Sequence, residues 1–177
     1  MISRIALLVL FGATAVCAQE EEVGRGAALV AALKSELVQE LMAGMEQGPV
    51  NAINVCKEQA PAVAEALSKD GVLIGRTSHR LRNPANTAPD WVAPVLKSYL
   101  DDDTNRAPTF VELPDDREGY VEVLVTQPLC LACHGESLDP DVAEQIQASY
   151  PEDEATGFEV GELRGVVWAE YPVDAAD

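Results

Sequence analysis

An α+β fold is predicted, an antiparallel sheet with helices packed mainly on one side, from three observations. Leu29, Leu33, Leu37 and Leu41 recur every four residues in the first part of the chain, the spacing of an amphipathic helix. Two runs of alternating apolar and polar residues, 109–113 and 120–126, flank Pro114-Asp115-Asp116-Arg117-Glu118-Gly119, a hairpin pattern. A last apolar run around Gly165-Val166-Val167-Trp168 supplies a further strand. With 47% hydrophobic and 24% charged residues, the 177-residue chain can bury the core of one domain.

Residues 1–18 are read as a signal segment outside that fold. Arg4 follows Met1-Ile2-Ser3, a mostly apolar run extends from Ile5 to Val16, and Cys17-Ala18 precedes Gln19-Glu20-Glu21-Glu22, the order of a secretory signal. The run is too short to span a bilayer, so no stable membrane insertion is expected. Cleavage after Ala18 leaves 19–177 as an exported, periplasmic domain. Acylation of Cys17 is the alternative, and the branched Val16 before it speaks against that.

The first helix of the domain is expected over 26–45. Gly48-Pro49 breaks it, and Pro49 can open the next helix at its first position. That second helix carries Ile53 and Cys56, three apart and on one face. Pro61 then begins a separate short helical piece ending at Asp70-Gly71. Val72-Leu73-Ile74 reads as a short strand, and the polar stretch 76–90 as a loop around Asn83-Pro84-Ala85-Asn86. A helix over 91–100 is stopped by Asp101-Asp102-Asp103. After the hairpin, Asp139-Pro140 starts a helix toward Ala148, and the last strand covers 163–170. There is no internal repeat and no interdomain linker.

Export to an oxidising compartment makes the cysteine count informative. Loss of Cys17 leaves Cys56, Cys130 and Cys133, an odd number, so one thiol is reactive, bound to something or paired between chains. Cys130-Leu131-Ala132-Cys133-His134 has the C-x-x-C-H spacing of a c-type haem attachment sequence. There the two thiols form thioethers with the porphyrin vinyl groups and the adjacent histidine faces the iron. With four Cys and two His in the chain, chance produces this motif on the order of one time in a thousand. A redox C-x-x-C would want a thioredoxin-like βαβ context, which this stretch lacks. A zinc site from Cys56, Cys130, Cys133 and one histidine has acceptable ligands but only one C-x-x-C. One covalently attached haem c is the expectation.

Further motifs accompany it. Asn54-Val55-Cys56, Arg76-Thr77-Ser78 with Arg82-Asn83-Pro84-Ala85-Asn86, Cys130-Leu131-Ala132-Cys133-His134-Gly135, and Tyr150-Pro151 with Ala155-Thr156-Gly157-Phe158 and Gly161-Glu162-Leu163-Arg164-Gly165 follow one another through nearly all of the chain after residue 18. In these motifs the chain resembles a family of single-haem c-type domains with a PAS-like fold, long catalogued as a domain of unknown function. The resemblance implies a PAS-like antiparallel sheet with haem held against it and covered by the N-terminal helices. It also implies that the helix cysteine, Cys56, sits on the iron opposite His134. Relatives occur as stand-alone exported proteins and as sensory modules fused to signalling domains; no effector domain is expected within 177 residues.

Read from residue types alone, the distal ligand is Cys56, His79, Met42, Met45 or none. The unpaired thiol on the Ile53 face favours Cys56, although a free cysteine is also a common small buried residue. His79 reads equally as a solvated loop residue, and the methionines as core of the first helix. Arg76, Arg80 and Arg82 form the most basic stretch of an acidic chain, and haem carries two propionates that want cationic partners. Either these arginines clamp the propionates or they balance nearby carboxylates. Trp91 and Trp168 read as core residues.

The net charge of −18 excludes nucleic acid as a partner and disfavours an anionic membrane face. After Arg117 the only basic residue is Arg164, so the acidic surplus lies toward the C-terminus, a solvated face that could steer a basic redox partner. Three functions follow. A haem-based sensor would lose Cys56 from the iron on reduction or on binding a small gas, and would need a signalling protein to read the change. An electron carrier would keep both ligands and exchange with a redox protein. A peroxidase-like enzyme would need an open iron site and a nearby acid–base group, for which only His79 is left, so an enzyme ranks last.

Overall fold

A computed structural model describes residues 13–173, with side chains from Gly24 onward. Of the expected signal segment, residues 1–12 lie outside the described residues and 13–18 run into the first helix of the uncut chain. The elements are α1 (Ala13–Met45), α2 (Pro49–Leu67), β1 (Leu73–Thr77), α3 (Val92–Asp101), β2 (Thr109–Leu113), β3 (Arg117–Val125), α4 (Leu131–His134), α5 (Pro140–Ser149) and β4 (Leu163–Pro172). The strands form one antiparallel sheet in the order β1-β4-β3-β2, so the expected α+β class with N-terminal helices on a sheet is observed.

Gly48, at φ 98°, turns α1 back into α2, with Pro49 at the first position. Pro61 does not open a separate helix as expected but lies inside α2. It sits on the exposed face, where the carbonyl that loses its N–H partner can turn to water. Arg76 and Thr77 are not loop residues: they continue β1 and pair with Val167 and Val166 of β4.

Helices lie on both faces of the sheet, α1 and α2 on one and α3 on the other, so the expected packing mainly on one side is observed with α3 covering the second face. Val30 and Leu33 of α1 pack with Ile74, Tyr120, Val167, Ala169 and Tyr171. Val92, Val95, Leu96 and Tyr99 of α3 pack with Val121, Leu163 and Val166. Neighbouring β4 residues thus point to opposite faces. The unbroken apolar run Val166-Val167-Trp168-Ala169 cannot be hidden by a single layer, which is the mark of a strand covered on both sides.

Gly26 lets α1 lie directly on β3, because a Cβ there would stand 2.5 Å from the Cβ of Tyr120. Gly165, at φ 154°, is where a Cβ would meet the Thr77 carbonyl, and beside it the β3–β4 register shifts between Leu124 and Val125. A smaller apolar cluster of Ile53, Val142 and Ile146, with Cys133 and Tyr150 at its margin, joins α2 and α5 around α4.

Candidate functional site

Where β3 ends, Thr126 exchanges backbone hydrogen bonds with the segment before β4: its N–H donates to Glu162 O, and its carbonyl accepts from Gly161 N–H, each at 2.9 Å. The chain then makes a 3-10 turn, Pro128–Cys130, and the single turn α4. Cys130 and Cys133, three apart on this turn, fall on one side of it. Segment 155–158 lies alongside. The Phe158 N–H donates to His134 O at 2.9 Å and the Gly157 N–H to Gly135 O at 3.0 Å.

His134 Nδ1 lies 2.6 Å from the Ala155 carbonyl. A carbonyl only accepts, so Nδ1 carries the proton and the neutral ring keeps its lone pair on Nε2. Burial, reinforced by the charges of Arg164 and Arg82, holds the imidazole well below its usual pKa, so the ring stays neutral. This is the form in which histidine binds a metal.

The structure brings Cys56 into the same region. Its half-buried thiol is pushed up in pKa by burial, against the lowering influence of Arg76 and then Arg82. Cys133 is likewise pushed up by burial and lies within electrostatic reach of Arg82, Cys56 and Cys130. The Sγ of Cys130 accepts the Gln127 N–H at 3.4 Å. All three thiols are free.

The three arginines of the basic stretch differ sharply. Arg80 donates to the carbonyls of Thr156 (2.9 Å) and Gly157 (3.3 Å), pairs with Glu162 at 2.7 Å, and lies 3.5 Å over the Phe158 ring. Arg82 forks onto both oxygens of Asp153 at 3.1 Å and reaches the carbonyls of Cys133 (2.6 Å) and Ala155 (3.3 Å). Arg76 makes no hydrogen bond or ion pair with a described residue; burial lowers its pKa, and Cys56 and Tyr150 are the groups that offset this.

His79 is exposed and its ring stands steeply inclined to that of Phe158, 5.8 Å between centroids, while the His134 ring is nearly perpendicular to the same phenyl at 6.3 Å. Met42 is exposed on α1, and Met45 is half-buried at its end.

Sequence reasoning passes over Asp153, Tyr150, Phe158 and Arg164 as site residues. Arg164 donates to Ser78 Oγ at 3.1 Å and lies 4.8 Å from the Phe158 centroid; burial, with Arg82 and Arg76 nearby, brings its pKa down to about 10. Its position as the one basic residue in the acidic stretch after Arg117 was the available signal. Nothing in the sequence singles out Asp153. Among the described residues no group of three or more His, Cys, Asp and Glu side chains could hold a bare metal ion, so the zinc set weighed from the sequence is not assembled. What the site offers is three thiols, one neutral imidazole nitrogen and a surplus of guanidinium charge.

The Tll0287-like family model matches residues 16–172. The fold is similar to that of the crystal structure of the cyanobacterial haem-protein Tll0287, at 22% identity and a TM-score of 0.64, covering 89% of this chain and 98% of that one. No curated protein matches the chain.

Proposed function

The chain belongs to the Tll0287-like family, and from that premise we propose that it is an exported monohaem c-type cytochrome acting as a haem-based redox or small-ligand sensor. The observation that carries the reading is His134, which follows directly on two free thiols, is held neutral by burial, and has Nδ1–H on the Ala155 carbonyl with Nε2 left to coordinate. That the similar solved structure is of a haem-protein supports it.

The residues present fit the group. Cys130 and Cys133 would hold it through thioethers, each S–H adding across a vinyl C=C with sulfur on one carbon and hydrogen on the other, so nothing leaves and no oxidant is consumed. His134 through Nε2 and Cys56 through its thiol would be the residues that hold the iron. Arg76, Arg82 and Arg164 gather around His134, and of these only Arg82 forms an ion pair with a carboxylate among the described residues, that of Asp153. Two propionates would supply the missing negative charge, and Arg76, with its donors unengaged, would receive one of them. When bound, haem supplies an iron that cycles between ferric and ferrous states and exchanges an axial ligand.

Sensing is favoured over simple electron transfer because the two candidate ligands come from separate elements, His134 on α4 and Cys56 on α2. Those elements are otherwise joined through the small apolar cluster of Ile53, Val142 and Ile146 with Cys133 at its margin. Release of Cys56 would therefore leave that cluster as the remaining tie between the helical hairpin and the 130–134 segment. Electron paramagnetic resonance of the ferric protein tests this, beside the optical spectrum of the ferrous form. A low-spin thiolate signal lost in Cys56→Ala, with the thiolate ligand released on reduction, is the expected result. Retention of both ligands in both states makes the protein an electron carrier, and a high-spin ferric signal sinks the Cys56 assignment.

A further inference from the structure

The Arg82–Asp153 ion pair is nearly hidden, with side-chain exposures of 13% and 7%. A pair this buried costs desolvation that its attraction does not automatically return, so it is weak evidence for stability and stronger evidence for fixing one geometry. Its surroundings show which. Arg82 Nε and Nη2 each donate to one oxygen of Asp153 at 3.1 Å. Nη2 also donates to Cys133 O at 2.6 Å, the carbonyl one residue before His134, and reaches Ala155 O at 3.3 Å. Asp153 Oδ1 in turn accepts the Ala155 N–H at 2.9 Å. Both partners of the His134–Ala155 hydrogen bond are thereby tied to one ion pair.

We propose that Arg82 is a positioning residue for His134: anchored by Asp153, it holds the Ala155 carbonyl on the imidazole Nδ1–H and so fixes where Nε2 points. This rests on the reading of His134 as an iron ligand and gives Arg82 a role other than clamping a propionate. A ligand histidine is oriented, and its donor strength set, by what its second nitrogen bonds to. The arrangement needs a planar fork: Nε and Nη2 grip the two Asp153 oxygens side by side and so fix the direction in which Nη2 presents its hydrogens to Cys133 O and Ala155 O, whereas Lys, with one nitrogen, cannot hold the carboxylate at two points.

The experiment follows exchange of the His134 Nδ1–H with solvent by nitrogen-15 NMR in the haem-loaded ferrous protein, alongside the midpoint potential. In the wild type the proton is protected. In Arg82→Lys its exchange quickens on the order of tenfold, the scale on which outer hydrogen bonds matter at metal sites, and the potential rises as the histidine becomes a weaker donor. A folded Arg82→Lys with unchanged exchange overturns the proposal, even if haem retention falls, because that is the pattern of a propionate clamp. Should Arg82→Lys not fold, Asp153→Asn decides by the same readout. Should neither fold, a wild-type Nδ1–H that exchanges as fast as exposed imidazole overturns the proposal, and a protected one supports it. Mass spectrometry of the wild type separates the two readings: if no haem is attached, the cytochrome reading fails, while exchange in the haem-free chain still judges Arg82.

Discussion

Phe158 is the residue on which the candidate site turns. Its fully buried ring has guanidiniums 3.5 and 4.8 Å from its centroid and two imidazoles in T-shaped contact with it. Phe158→Ala should cost about 3–5 kcal/mol, the usual loss for a buried aromatic, read as a lower urea midpoint. A loss below about 1 kcal/mol would mean that the ring packs far less tightly than its contacts imply. At this scale the sequence is uneven evidence. The C-x-x-C-H motif is legible because its five residues are adjacent. Arg76, Arg80 and Arg82 look alike in the chain, yet one has unengaged donors and two grip the 153–157 loop. Nothing local could sort them, since the carbonyls and carboxylates that do so lie 51 or more residues away.

The hairpin of β2 and β3 shows what governs individual elements. Asp115 and Asp116 both have positive φ, 60° and 51°, which side-chain-bearing residues adopt only at a cost. Asp116→Gly should stabilise the protein by up to about 1 kcal/mol, part of the relief being returned to the freer unfolded chain, and thermal unfolding would register the rise. On the same strand, Tyr120 donates to Glu122 at 2.9 Å, and Lys34 of α1 binds the other oxygen at 2.7 Å. Burial first, then that hydrogen bond, with Glu122, Tyr171 and Tyr99 adding their charge, raises the phenol above its usual pKa of 10. Above about pH 10 the unfolded chain has lost this proton while the native one keeps it, so stability falls as pH rises, by about 1.4 kcal/mol per unit at the steepest. Urea titrations at stepped alkaline pH should show a shallower decline in Tyr120→Phe. The bounds of β2 were readable from alternation alone. β3 begins three residues earlier than expected, because Arg117, Glu118 and Gly119, which read as a loop, pair with Leu113, Glu112 and Val111. Pairing with a partner strand overrode local composition there, as it did for Arg76 and Thr77 in β1.

For the molecule as a whole, a charge of −18 means that the folded chain repels itself. Raising ionic strength from about 0.01 to 0.15 M shortens the screening length from roughly 30 to 8 Å, so the unfolding temperature should climb over that range. A flat response would show that the carboxylates are already balanced within the fold. The α+β class was legible because it depends on periodicity, whereas the cover on the second face was not, because an unbroken apolar run carries no alternation to say which element lies on each side. The position of β4 has a further consequence for how the protein is made. It lies between β1 and β3, so the sheet joins residues 73–77 to 163–172 through a strand that follows every other element in the chain. Such distant pairing is slow to form, on the millisecond-to-second scale of non-local β topologies. As the polypeptide emerges, the cysteine pair at 130 and 133 precedes the strand that closes the sheet. Any machinery that must reach those sulfurs has its opening before the last segment docks, which makes assembly a race between a chemical step and a topological one.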